Sequence, residues 1–135
     1  MRISVYRKAH FNAAHRLMVK EWSDKENLDY FGKCSNPYYH GHNYDLEVKL
    51  TGEVDPKTGY LYDLGKLKDI IEKEIEERFD HKNLNEQCVE FKDINPTAEN
   101  ICYTIYQILR SKIEEKYDLS IKLWETSRNY VKYPA

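Results

Sequence analysis

The densest chemistry in the sequence is the run Cys34-Ser35-Asn36-Pro37-Tyr38-Tyr39-His40-Gly41-His42-Asn43-Tyr44. From His40 the residue types alternate. His40, His42, Tyr44, Leu46, Val48 and Leu50 share one parity, and Gly41, Asn43, Asp45, Glu47, Lys49 and Thr51 share the other. That is the period of a half-buried strand. Both histidines then fall on its apolar face, and imidazoles at i and i+2 can address one ion. A thiol stands just upstream, beyond the turn marked by Asn36-Pro37. A divalent metal, zinc by ligand type, with a cysteine beside it is the chemistry this pattern suggests. A hydrogen-bonded pair of core histidines would give the same pattern, so a third ligand is needed to separate the two readings.

The elements that would supply it come first in the chain. Residues 3–15 read as a strand whose apolar parity (Ile3, Val5, Ala9, Phe11, Ala13) is broken at Arg7 and closed by His15. If this strand pairs antiparallel with the one opened by His40, its end meets the other's start and His15 approaches His40 and His42. Three histidines leave a coordination position open, as in catalytic rather than structural zinc sites. His10 has the opposite parity and receives no role. Residues 20–33 are polar and aperiodic, and read as a long surface loop, with room for a helical turn, that delivers Cys34.

Asp55-Pro56-Lys57-Thr58-Gly59 is a turn signature. It predicts a short returning strand at Tyr60-Leu61-Tyr62. Asp63 then suits the N-cap of a helix over residues 64–79, with Leu64, Leu67, Ile70, Ile71, Ile75 and Phe79 at helical spacing. Asn95-Pro96 predicts the start of a second helix carrying Ile101, Ile105, Ile108, Leu109 and Ile113. A last strand is predicted over residues 119–127. There Glu125 continues the apolar parity of Leu119, Ile121 and Leu123, either because a donor-rich partner meets it or because the strand has emerged into solvent.

The predicted architecture is an α+β domain over residues 1–135, a four-stranded antiparallel sheet with two helices on one face. At 135 residues the chain can bury a core without staples. A net charge of −2 with 33% charged residues gives no electrostatic case for nucleic acid or an acidic membrane as partner. No apolar run approaches the roughly 18 residues of a membrane span, and no signal-peptide core is visible. Three cysteines without a CxxC suit a reducing, cytoplasmic compartment. The 12 tyrosines are read as packing and interface surface. A small open sheet has edges to manage, and oligomerisation would pair them.

Several motifs together resemble one family. Phe11-Asn12-Ala13-Ala14-His15-Arg16-Leu17, Phe31-Gly32-Lys33-Cys34, His40-Gly41-His42-Asn43-Tyr44, Asp80-His81-Lys82-Asn83-Leu84, Pro96-Thr97-Ala98-Glu99-Asn100 and Trp124-Glu125-Thr126 resemble, in order and along essentially the whole chain, the 6-pyruvoyl-tetrahydropterin synthases. The related 6-carboxy-tetrahydropterin synthases of queuosine biosynthesis share most of these motifs. The resemblance implies the tunnelling fold, in which sheets from three subunits close a barrel and two trimers stack as a homohexamer with active sites between subunits. It implies zinc on His15, His40 and His42, Cys34 as general base, and Asp80 and His81 assisting from a neighbouring subunit. It further implies Glu125 as the anchor of the pterin ring, with Thr97 and Glu99 nearby. The implied reaction converts 7,8-dihydroneopterin triphosphate to 6-pyruvoyl-tetrahydropterin with elimination of triphosphate. No dinucleotide fingerprint is present, which agrees with a redox change internal to the substrate.

Two departures stand out. Ser35, Tyr38 and Tyr39 replace residues of the animal pyruvoyl-type motif, Tyr39 standing where a glycine is usual. Asp63 is closer to the carboxy-type sequences. The long loop before Cys34 and the five residues between Cys34 and His40 resemble the pyruvoyl type. The rival expectations are the 6-carboxy reaction, a non-catalytic pterin- or metal-binding protein, and a closed structural site with Cys34 as fourth ligand.

Overall fold

The computed structural model describes every residue from Met1 to Ala135. Strand β1 (Arg2–His15) and strand β2 (His40–Glu53) form the long antiparallel ribbon that the alternation predicts. The register pairs His15 with His40, Ala13 with His42 and Phe11 with Tyr44, so the end of one strand does meet the start of the other. β3 (Lys82–Asn83), β4 (Asp118–Trp124) and β5 (Tyr130–Tyr133) complete a five-stranded sheet in the order β3-β1-β2-β4-β5. β3 lies parallel to β1, and the other pairings are antiparallel.

One sheet face carries the core. Phe11, Ala13, Tyr44, Leu46, Val48, Leu50, Leu119, Ile121 and Leu123 are buried there. They pack in one cluster with Leu67, Ile71, Ile75 and Phe79 from the first long helical segment, and with Ile101, Ile105 and Leu109 from the second. The apolar parities of the strands and the helical stripes thus find each other, which is the physical basis of the α+β layering. The chain stays helical from Leu64 to Phe79: α2 (Leu64–Ile71), a wide π turn (Glu72–Glu76) and α3 (Glu77–Phe79). Asp63 caps it as expected, its carboxylate accepting from the N–H groups of Gly65 and Lys66. Leu64, counted in the apolar stripe, is exposed instead.

The sheet has five strands, β3 parallel, where four antiparallel ones are expected, because the short β3 and β5 add an edge on each side; four local expectations are corrected as well. Residues 20–33 are not a loop. They contain α1 (Asp24–Phe31), started by a capping box in which Ser23 accepts from Glu26 N–H while Glu26 accepts from Ser23 N–H. The buried Asn27 fastens α1 to the preceding turn, its Oδ1 accepting from Val19 N–H at 2.8 Å and its Nδ2 donating to Val19 O at 3.1 Å. Tyr60-Leu61-Tyr62 is not a strand, because β1 and β4 already flank β2 on both sides. Leu61 and Tyr62 are simply buried, below a turn closed by Asp55 N–H to Tyr60 O at 2.9 Å.

The second long helix, α5 (Ala98–Arg110), is capped by Thr97 rather than Asn95. Thr97 Oγ1 accepts from Asn100 N–H, whereas Asn95 Oδ1 accepts from Met18 N–H. Finally, β4 stops at Trp124, since the Thr126 hydroxyl accepts from the N–H groups of both Arg128 and Asn129 and turns the chain into β5. The short helix α4 (Leu84–Gln87) follows β3 in the connection between the two long helical segments.

Candidate active site: a histidine trio between two clefts

Strand pairing brings three imidazoles together. His15, His40 and His42 offer ring nitrogens that all lie within 4.8 Å of one another. His15 is wholly buried, and its Nδ1–H donates to the Pro96 carbonyl at 2.7 Å. That bond fixes the tautomer and leaves the Nε2 lone pair aimed at the other two rings. The turn before α5 therefore has a second duty, since the carbonyl preceding its cap residue orients a ligand. The Tyr44 hydroxyl lies 3.4 Å from the same nitrogen, and burial, then the charges of Glu125 and Cys34, raise its pKa and keep it a neutral phenol.

His15 Nε2, both ring nitrogens of His40 and His42 Nε2 are buried and make no hydrogen bond. A buried polar atom without a partner costs roughly 1–3 kcal/mol. A neutral imidazole carries one N–H and one lone pair, so each ring can turn one lone pair to the cluster, and three converging acceptors are a set that a cation would satisfy. The donor set, three neutral imidazoles, fits zinc.

Burial, chiefly, lowers the pKa of His15 to about 4, and the charges of His40 and His42 add to it while the Pro96 carbonyl opposes. Burial, then His42, lowers that of His40. Neutral rings are what a metal requires. They also set a pH dependence for metal-free protein. An unfolded chain protonates His15 near the ordinary 6.5 and the folded one near 4, so stability is present above pH 6.5 and is lost as pH falls toward 4. The gap corresponds to on the order of 3 kcal/mol. Urea midpoints of chelator-treated protein at pH 7 and pH 4.5 should therefore differ more for this chain than for its His15→Gln variant. Equal differences would show that His15 stays protonatable in the fold.

Two clefts lie beside the trio, one lined by His40 and His42 and the other reaching it through Glu125. One, of about 1000 Å³, is lined by Arg16, Lys33, Cys34, Asn36, His40 and His42 among others. Cys34 sits there on a 3-10 turn (Gly32–Ser35) held to the end of β1 by Leu17 N–H to Cys34 O at 2.8 Å. The other, of about 440 Å³, gathers Thr97, Glu99 and Glu125 with Leu17, Asn129 and Tyr130. Glu125 connects the two, its carboxylate oxygens 3.9 Å from His15 Nε2 and 3.9 Å from His42 Nε2. Its side chain is 26% exposed, so the apolar parity reflects a half-buried carboxylate facing the site, not a strand lost to solvent.

Asp80 and His81 are not brought to this site. They form a pair at the β3 edge, with His81 Nδ1 2.8 Å from Asp80 Oδ2. Asp80 also accepts from Asn12 N–H at 2.8 Å, which, ahead of His81, holds its pKa low. His81 adopts φ +59°, and its side chain is 82% exposed. No hydrogen bond or ion pair joins the dyad to Cys34 or to the three clustered histidines of its own chain. An oriented, solvent-facing imidazole is what a neighbouring subunit's site would take.

Sequence reasoning missed Arg16, Lys33 and the Pro96 carbonyl. Arg16 could have been suspected as the residue next to a ligand at a strand end, but nothing in the sequence signals the carbonyl. Tyr39, flagged as a departure, takes φ +70°, a conformation that suits glycine, and its hydroxyl bonds the Glu86 carboxylate of α4. Tyr39→Ala keeps the backbone strain and loses that bond, whereas Tyr39→Gly loses the bond but removes the strain. Tyr39→Gly should be the more stable of the two by about 1 kcal/mol in urea titration. The opposite order would mean that the loop does not hold this conformation in solution.

A family model described as 6-pyruvoyl tetrahydropterin synthase matches residues 4–135. The Homo sapiens 6-pyruvoyl tetrahydrobiopterin synthase is 42% identical over 96% of this chain and 89% of its own length. A 6-carboxy-5,6,7,8-tetrahydropterin synthase of Rickettsia conorii is 29% identical over 96% of this chain and 98% of its own. The solved Caenorhabditis elegans 6-pyruvoyl tetrahydropterin synthase superposes with a TM-score of 0.92 at 38% identity, covering 98% of this chain and 95% of that one.

Proposed function

This chain belongs to the 6-pyruvoyl tetrahydropterin synthase family, and on that premise we propose that it is a zinc-dependent lyase converting 7,8-dihydroneopterin triphosphate to 6-pyruvoyl-tetrahydropterin and triphosphate. The observation that carries the reading is the set of desolvated imidazole nitrogens with a thiol in the adjoining cleft. His15, His40 and His42 would hold the ion, which when bound supplies a Lewis acid for alkoxide or enolate character on the substrate's side-chain oxygens.

The rest is done by the chain's own groups. Glu125 accepts from the N–H edge of the pterin ring, with Thr97 and Glu99 in the same cleft. Thr97 Oγ1 already accepts from Asn100 N–H, so its own hydroxyl proton is left to donate to the substrate. Cys34, as thiolate, takes a proton from the side-chain carbon next to the one bearing the triphosphate. The electron pair released becomes a C=C bond as the C–O bond breaks, and the triphosphate oxygen leaves with that bond's pair. Reprotonation of the enol gives one ketone. The other arises as a side-chain carbinol gives its two electrons to the ring C=N, so no external oxidant is needed.

Asp80 and His81 would relay protons at the site of a neighbouring subunit, within a hexamer built as a dimer of trimers. Their exposure, and the absence of any hydrogen bond or ion pair to their own trio, support that division. No helix is long and apolar enough to cross a membrane, and all three cysteines are unpaired, which supports a cytoplasmic setting.

Asp63, the feature closest to the 6-carboxy type, serves here as the cap of α2, a duty that asparagine performs equally well, so it does not separate the two reactions. Mass spectrometry of the product from zinc-loaded protein and 7,8-dihydroneopterin triphosphate tests the reading. Pyruvoyl-tetrahydropterin with free triphosphate is expected. Carboxy-tetrahydropterin with acetaldehyde would assign the queuosine-type reaction to the same residues, and binding without turnover would leave a pterin-binding protein.

A further inference from the structure

Arg16 holds a half-buried guanidinium with little to neutralise it. Its side chain is only 16% exposed, yet just one of its nitrogens makes a hydrogen bond, Nε–H to Ser35 O at 2.7 Å. The nearest carboxylate, that of Asp24, stands 3.9 Å away and is fully exposed to water, which screens it. The remaining guanidinium donors make no bond within the chain. Backbone contacts fix the residue firmly: Arg16 N–H donates to Asn85 Oδ1 at 2.8 Å, and Arg16 O accepts from Asn85 Nδ2 at 2.9 Å. A rigidly placed guanidinium with unused, forked donors is suited to a phosphate group. It lines the same cleft as Cys34, His40 and His42, and the exposed Lys33 adds a second cation there.

The order of groups along the site matches the substrate. The histidines stand between the two clefts: His40 and His42 line the Arg16 cleft, and Glu125 of the other cleft lies 3.9 Å from His42 Nε2. A molecule with its ring on Glu125 and its short side chain at the trio would place its polyphosphate end in the Arg16 cleft. Resting on the proposed pterin triphosphate reaction, we propose that Arg16 and Lys33 form the polyphosphate subsite, with Arg16 binding the leaving group while its Nε–H bond pins the turn that carries Cys34. A cation at that place stabilises the negative charge that gathers on the triphosphate oxygen as the C–O bond breaks. The arrangement couples two events: the residue that receives the leaving group also fixes the backbone beside the base.

The test measures binding of inorganic tripolyphosphate and, separately, of unphosphorylated 7,8-dihydroneopterin to zinc-loaded protein by calorimetry. Arg16→Gln is expected to weaken tripolyphosphate by about tenfold or more and Lys33→Ala by several-fold, with dihydroneopterin affinity unchanged in both. The slope of tripolyphosphate affinity against salt should flatten in each variant. A purely structural Arg16 would weaken both ligands together or neither, and that result overturns the proposal. Should Arg16→Gln not fold, Lys33→Ala still decides, because its exposed side chain makes no hydrogen bond: unchanged tripolyphosphate affinity and salt slope there would remove the subsite. Product analysis of the unaltered chain stands apart from this. Tripolyphosphate binding through these residues without pterin turnover would count against the reaction while supporting the subsite.

Discussion

Cys34→Ser is expected to keep its zinc and lose turnover, by roughly 10²- to 10⁴-fold, the range typical of removing a general base. The two halves of that result have separate physical origins. Retention follows because the nitrogens gathered within 4.8 Å belong to His15, His40 and His42, and the thiol is not part of that group. Loss of turnover follows because a serine hydroxyl has almost no anionic fraction near neutral pH, whereas an ordinary thiol has a few per cent. The substitution is close to isosteric, and the turn that carries residue 34 is held by backbone bonds, Leu17 N–H to Cys34 O and Arg16 Nε–H to Ser35 O. Stability should therefore barely move. Zinc analysis and product formation on the same sample decide between the readings. Zinc released by Cys34→Ser would mean a closed site of three histidines and one cysteine, and the lyase assignment would lose its base.

The parts of this site that could be read in the sequence are those built on short periods. Alternation put His40 and His42 on one face and placed His15 at the end of the matching parity, and antiparallel pairing then forced all three together. Glu125 was flagged by the same rule, one residue past the last β2–β4 pair, Asp45 with Trp124. What failed was local chemistry overridden by side-chain competition for backbone groups. The capping box at Ser23 and Glu26 was present as letters, but the polar, aperiodic stretch around it has no apolar face to announce a helix, and α1 is held instead by Asn27. Thr126 ended β4 early for a related reason. β5 follows that turn as only four residues, Tyr130–Tyr133, too short for alternation to stand out.

The division of labour around Asp80 and His81 has another origin. Periodicity sees only one chain. The dyad's backbone is tied to β1 by His81 N–H to Asn12 O at 2.6 Å and by Asn12 N–H to Asp80 Oδ1. These bonds hold His81 in a left-handed conformation at an exposed sheet edge. A backbone held in a disfavoured conformation by two bonds, presenting an oriented imidazole to solvent, has no purpose that its own subunit reveals. In the assembly proposed above, a neighbouring copy would give it one.

His42→Ala is expected to empty the metal site and with it the activity. Two imidazoles remain, but His15 is fixed by its Pro96 bond and cannot follow an ion to a new position. Wild-type protein should hold one zinc per chain through dialysis against a weak chelator, and the variant should retain essentially none.

The stability of the variant is as informative as its metal content. Adding zinc to the metal-free wild-type chain should raise its Tm, because a ligand bound only by the folded state stabilises it by mass action. That shift should vanish in His42→Ala. Without metal the order can reverse. Truncation removes one of the buried, unpartnered nitrogens, which relieves roughly 1–3 kcal/mol of desolvation. His42 is still 20% exposed, so the space left behind opens to water and does not become a sealed cavity. Metal-free His42→Ala should thus be at least as stable as metal-free wild type, an outcome that a hydrogen-bonded core histidine would not give. Stoichiometric zinc in the variant would sink the ligand assignment. A metal-free variant markedly less stable than metal-free wild type would show that His42 belongs to the packing of the sheet, and that the trio was not left poised for a cation.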